Sequence, residues 1–100
     1  MKSRDKNNML YIIKSGGYRY YKIGITNNIN KRFSTLQTGN PVKLVLYRGY
    51  TIENRHKLEK LERLIHTKFK EKRVRGEWYM LNKYDLQWLD DLDNLMGLID

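Results

Sequence analysis

Two short apolar stretches open the chain, Met9 to Lys14 and Tyr18 to Thr26, with Ser15-Gly16-Gly17 between them. Each is too brief for a helix, and the glycine pair supplies turn residues, so the pattern predicts an antiparallel hairpin. With Gly16 and Gly17 as a two-residue loop, Ser15 faces Tyr18, Ile13 faces Tyr20 and Tyr11 faces Lys22; a three-residue loop would instead set Tyr21 opposite Tyr11. Asn28 can cap a helix running to about Thr38, where Gly39 and Pro41 stop it. Val42 to Tyr50 alternates as a third strand, and Ile52 to about Lys72 repeats apolar residues at helical spacing through Leu58, Leu61, Ile65 and Phe69. A basic turn, Arg73-Val74-Arg75-Gly76, leads to a short aromatic segment, Trp78 to Leu81. Asn82, with Asp85 three residues on, can then cap a last helix whose apolar side is Trp88, Leu89, Leu92 and Met96. The order β-β-α-β-α plus a C-terminal helix predicts an α/β (α+β) domain. No repeat or Pro/Gly-rich linker interrupts it, so residues 1–100 read as one domain.

Composition narrows the setting. A chain of 100 residues, 40% hydrophobic, can bury one modest core. It has no cysteine, which excludes disulfides and thiolate metal sites and suits a reducing cytosol. No stretch has the roughly 20 apolar residues of a membrane span, and Met1 to Asn8 is polar and basic, unlike a signal peptide. The expectation is a cytoplasmic protein of a bacterial or virus-infected cell, without membrane association.

Charge changes the picture more. The net charge is +9, yet all 20 Lys and Arg lie at or before Lys83, while Asp85, Asp90, Asp91, Asp93 and Asp100 follow it. Such a basic body attracts a polyanion by neutralising phosphates and releasing counterions. The run Arg55, Lys57, Lys60, Arg63, Lys68, Lys70, Lys72, Arg73 and Arg75 is the expected approach surface for DNA, or else a solvated face. The acidic segment, residues 82–100, either packs on the far side of the sheet or joins a homodimer, because Trp88 and Leu92 need covering.

Two charged residues stand where the helical period places apolar ones. Glu62 lies within about 40° of Leu58 and about 20° of Phe69 on the second helix, and Arg32 lies between the sides marked by Ile29 and Leu36 on the first. A carboxylate there needs a partner, either a salt bridge with Arg32 or Arg55 or a divalent metal ion. His66 follows one turn later. Arg32 suits a bidentate phosphate contact. In the two-residue register the Lys22 ammonium would lower the pKa of Tyr11 and make it a base. A tyrosine base, an arginine and a metal-binding carboxylate together suit phosphodiester hydrolysis.

These residues carry a resemblance. Met9-Leu10-Tyr11, Lys22-Ile23-Gly24, Arg32 in Asn30-Lys31-Arg32-Phe33, and Glu62 in the second long helix resemble the GIY-YIG nuclease superfamily. Tyr11 to Lys14, Tyr21 to Thr26, Leu36 to Pro41, Leu64-Ile65-His66 and Gly76-Glu77-Trp78-Tyr79 are similar to its phage and bacterial DNA-binding (Orf172-like, MUG-type) branch. The resemblance spans residues 9–81. It implies a three-stranded antiparallel sheet flanked by helices and one Mg2+ or Mn2+ ion at Glu62, with Tyr11 as base and Arg32 on the phosphate. Lys22 stands where a second motif tyrosine is usual, Leu36 where many members have histidine and Met9 at the first glycine, and no late asparagine matches; His66 and Glu77 are the residues that can compensate.

The function expected is a metal-dependent DNA endonuclease. The alternatives are a catalytically silent DNA-binding module of the same fold and, more distantly, an RNA-binding protein.

Overall fold

The computed structural model describes residues 8–100, so all of the polar N-terminal run but Asn8 lies outside it. The hairpin forms as β1 (Met9–Ser15) and β2 (Tyr20–Thr26), followed by α1 (Ile29–Thr38), β3 (Leu44–Thr51) and α2 (Arg55–Lys68). The three-stranded expectation is corrected to five strands. The basic turn is itself β4 (Arg73–Arg75), and the aromatic segment is β5 (Trp78–Met80). Three residues are too few to show a period of two, which is why neither strand was recognisable as such. The sheet order is β3-β1-β2-β5-β4, with every pair antiparallel.

Both hairpin registers are overturned. Tyr11 pairs with Gly24 and Ile13 with Lys22, because the loop spans Gly16 to Arg19 rather than two glycines. Gly16 takes φ +50°, and Tyr18 N–H donates to Ser15 O at 2.9 Å to close the turn. The slip from the two-residue register is two positions, an even number, so every side chain keeps its face. Tyr11 and Lys22 still share one face of the sheet, now as diagonal rather than direct neighbours.

β1 is covered on both sides: Leu10, Tyr11, Ile12 and Ile13 are all fully buried. Leu10 and Ile12 join Tyr21 and Ile23 in the larger core, against Leu58, Leu61, Ile65 and Phe69 of α2. Tyr11, Ile13 and Leu44 form a smaller core under Ile29, Phe33 and Leu36 of α1. The Asn28 side chain caps α1 by accepting from Lys31 N–H at 3.1 Å. Asn54 does the same for α2, so that helix starts three residues later than its apolar spacing suggested, and it ends at Lys68 before a 3₁₀ turn over Lys70–Lys72.

The single C-terminal helix is corrected to two, α3 (Lys83–Asp90) and α4 (Leu92–Ile99). Asp91 divides them: it ends α3 and its carboxylate accepts Asn94 N–H at 3.1 Å, the N-cap role aspartate favours. Leu89, Leu95 and Ile99 are buried on the α2 side, and Trp88 packs edge-on against Phe69. Trp88 is therefore covered within the chain itself.

Gly24 is the position where the sheet leaves no room. A Cβ there would lie 2.5 Å from Tyr11 Oη and 2.7 Å from its Cζ, so the ring occupies the space a side chain would take. Gly24→Ala should cost about 1–3 kcal/mol by overpacking, read as a lower urea midpoint. Gly39→Ala, where an added Cβ meets nothing within 4 Å, is the control and should leave the midpoint unchanged.

Candidate nucleic-acid cleavage site

β5 pairs with β2 only through Tyr20, Tyr21 and Lys22. Just beyond, the backbone of Ile23 serves two other segments. Its N–H donates to the Glu77 carbonyl at 3.1 Å, and its carbonyl lies 2.9 Å from Nε2 of His66 on α2. Read as an Nε2–H donor, His66 keeps its lone pair on Nδ1, the arrangement in which a backbone acceptor orients a metal-binding imidazole. The His66 ring also leans on Tyr79, with centroids 5.4 Å apart.

One turn before His66 on α2 stands Glu62. Glu62, His66 and Glu77 each bring a ligand atom within 4.8 Å of the others. Two carboxylates and one imidazole fit a single divalent cation with positions left for water or a phosphate oxygen. Of the two salt-bridge partners expected for Glu62, Arg55 binds Glu59 at 3.1 Å and Arg32 turns to Tyr11. Among the described residues Glu62 has no ion pair. Burial raises its pKa above the usual carboxylate value, with His66 pulling it down and Glu77 pushing it further up.

The other half of the site comes from the α1 face. Arg32 Nε donates to Tyr11 Oη at 3.3 Å. Glu77 joins the halves: its Oε1 would lie 3.0 Å from a Cβ at Gly24, the same point Tyr11 Oη crowds. Lys22 Nζ is 3.6 Å from that Oε1 and 5.7 Å from the Trp78 ring centroid. The expectation that Lys22 lowers the Tyr11 pKa is corrected, since its ammonium is occupied by Glu77 and Trp78. Burial instead pushes the Tyr11 phenol above its ordinary value; the Arg32 hydrogen bond pulls it back, and Glu77 and Glu62 raise it.

Tyr11, Lys22, Arg32 and Glu62 are thus gathered around Glu77. That residue is central here, although the sequence marked it only as a compensating one. Its local signal was a carboxylate inside a basic turn, after Gly76, whose φ of +55° suits glycine.

The basic run divides. Arg63, Lys70 and Arg73 rim a cleft of about 830 Å³ with Glu62, His66 and Glu77. Arg55 pairs with Glu59, Lys57 with Asp100 and Lys72 with Asp85, while Lys60 reaches the Ile99 carbonyl and Lys68 lies over Trp88. Five of the nine therefore serve internal contacts. Arg75 lies beyond the cleft, on β4 beside Trp78.

The raised Glu62 pKa has a stability consequence. A carboxylate whose folded pKa exceeds its unfolded value binds its proton more tightly when folded, so its contribution is fullest in acid and is lost as pH rises through the folded pKa. In chelator at neutral pH, Glu62→Gln should unfold at higher urea than wild type. The difference should shrink as pH falls towards the carboxylate range; a constant difference would count against a strained, ionised Glu62.

No helix among the described residues is long and apolar enough to cross a membrane. Neither the curated proteins nor the solved structures searched include a match to the chain. The family model of the T5orf172 domain matches residues 8–99, which takes in every element from β1 to α4. The chain belongs to the T5orf172 domain family.

Proposed function

We propose that this chain is a GIY-YIG-like DNA-binding domain that hydrolyses phosphodiesters with one divalent ion held by Glu62, His66 and Glu77. The observation carrying this reading is the meeting, at Glu77, of the Tyr11–Arg32 pair with that three-ligand cluster, beside a cleft that Arg63, Lys70 and Arg73 share with the carboxylates. The motif resemblance to the GIY-YIG superfamily supports it.

In this reading Arg32 binds a non-bridging phosphate oxygen and offsets the charge that grows at phosphorus. Arg63, Lys70 and Arg73 hold flanking phosphates. Tyr11 is neutral at ordinary pH and its oxygen accepts from Arg32, so it orients the attacking water by hydrogen bonding, and the proton the water loses leaves to solvent. Lys22, within reach of Glu77, can protonate the departing oxygen. Glu62, His66 and Glu77 would hold the ion, which when bound would supply positive charge to the phosphate and lower the pKa of water. An imidazole ligand suits Mn2+ better than Mg2+, whose preferred partners are all oxygen.

The neutral phenol also favours a second reading, a silent DNA-binding module of the same fold in which Tyr11 only positions Arg32. Nicking of supercoiled plasmid separates the two. The enzyme should nick with Mn2+ more readily than with Mg2+, and Glu62→Gln should abolish nicking while retaining plasmid retardation. Arg32→Ala should lower nicking by about 10²–10³-fold and weaken retardation as well. Tyr11→Phe should lower nicking by about 10²–10⁴-fold and spare retardation. Retardation by all four proteins, with nicking by none in either metal, leaves the silent module.

With the metal limiting, metal affinity and nicking should fall as pH falls, because Glu62 must lose its proton before it can ligate and its raised pKa strengthens the proton's competition with the ion. A metal affinity that falls with pH equally in wild type and Glu62→Gln would remove Glu62 from the ion.

A further inference from the structure

The α1 face of the sheet is only half covered. α1 lies over Tyr11, Ile13 and Leu44, on the β1–β3 side. On the β2–β5 side the pairs Tyr20–Met80 and Lys22–Trp78 put four side chains on that same face, beyond the helix. Three of the large exposed apolar side chains gather along this side: Tyr18 is 58% exposed, Val74 55% and Met80 46%. Apolar surface of this kind, rimmed by charge, marks a contact site more often than chance exposure.

Its aromatic groups are ordered towards the cleavage site. Tyr18 and Tyr20 stack with centroids 6.2 Å apart and ring planes 26° from parallel. Tyr20 and Trp78 both line a cleft of about 220 Å³, with Val74, Arg75, Ser15 and Asn40. Trp78 in turn carries the Lys22 ammonium, the group that reaches Glu77. The cleft is smaller than the roughly 300–1,000 Å³ of drug-sized ligand pockets and suits a single flat ring. Asn40 spends its Oδ1 on Val42 N–H at 2.9 Å, which leaves its amide N–H groups as donors.

We propose that this face is a stacking site for an unpaired nucleobase, its phosphates held by Arg75 and by Arg19 and Arg73 at the neighbouring edge. The assignment rests on the nucleic-acid reading above and adds to it the form of the substrate, a strand with at least one base out of its duplex. Charge complementarity selects this occupant. A second copy of the chain would bring the same cations against Arg73 and Arg75, whereas a nucleic acid strand brings phosphates to the cations and flat bases to the rings.

The chain has two tryptophans, so Trp88→Phe leaves Trp78 as the only indole reporter. In that protein a short thymidine or uridine oligonucleotide should quench Trp78 fluorescence. An abasic deoxyribose-phosphate oligomer of equal length should bind without quenching. Tyr20→Leu, which keeps apolar volume and removes the ring, should weaken binding of the base-bearing single strand by about tenfold and leave affinities for abasic oligomer and duplex unchanged.

Equal affinity for abasic and base-bearing strands, or no quenching by either oligonucleotide, overturns the proposal. So does a Tyr20→Leu effect confined to a dimer-to-monomer change in sedimentation, which would make the face a self-association surface. The fluorescence arm needs no substitution at the face and decides the matter even if Tyr20→Leu fails to fold. Plasmid nicking is read separately: quenching without nicking removes hydrolysis and keeps the base site, and nicking without base preference does the reverse.

Discussion

The backbone of Ile23 holds the ligand-bearing half of the site together. β5 stops pairing with β2 after three residues, and the next backbone groups on β2 would otherwise face an open edge. An unpaired backbone group near a core is costly, so both find partners. The N–H takes the Glu77 carbonyl and the C=O takes His66 Nε2. One residue's backbone thereby fixes two of the three ligand-bearing residues, and α2 fixes the third because Glu62 lies four residues before His66 on the same helical face. Lengthening β5 by a residue or two would compete with His66 for that edge.

Charge is distributed by the same economy of position. The acidic C-terminal helices lie against the basic stretch that opens and closes α2, where Lys57 meets Asp100 and Lys72 meets Asp85. Exposed pairs like these contribute little stability each. Their larger effect is on the field: they neutralise cations away from the cleft and leave Arg63, Lys70 and Arg73 free to act at its rim. The cleft itself is mixed in charge, Glu59, Glu62 and Glu77 lining it with these three cations, so phosphates would be drawn to the cations and a divalent ion to the carboxylates, and both attractions weaken with salt.

Around Glu77 the ionisable groups are pushed apart in character. Burial keeps the Tyr11 phenol protonated, and the same effect, with Glu77 nearby, makes Glu62 reluctant to ionise. Glu77 has Lys22, but Glu62 has no ion pair among the described residues, and a bound divalent cation would relieve it. The arrangement is therefore one that stability alone does not favour, which is a physical reason to read it as a functional site.

Local pattern was enough for several features of this protein. Asparagine caps at 28 and 82 and the apolar stripe of α2 follow from residue type and spacing, which act over one or two turns. The place of Glu62 beside that stripe was also legible, because a helix wheel needs no tertiary information. The face shared by Tyr11 and Lys22 survived even a wrong register, since the slip was even. Other features depended on contacts between segments remote in sequence. The strand character of Arg73–Arg75 and Trp78–Met80 exists only because β2 offers an edge, and the break at Asp91 lets α3 and α4 each bury an apolar side on the larger core. The partners of Lys22, the raised pKa of Tyr11 and the role of Glu77 were likewise settled by the fold: desolvation and short-range electrostatics depend on distances in space, and chain order does not encode those directly.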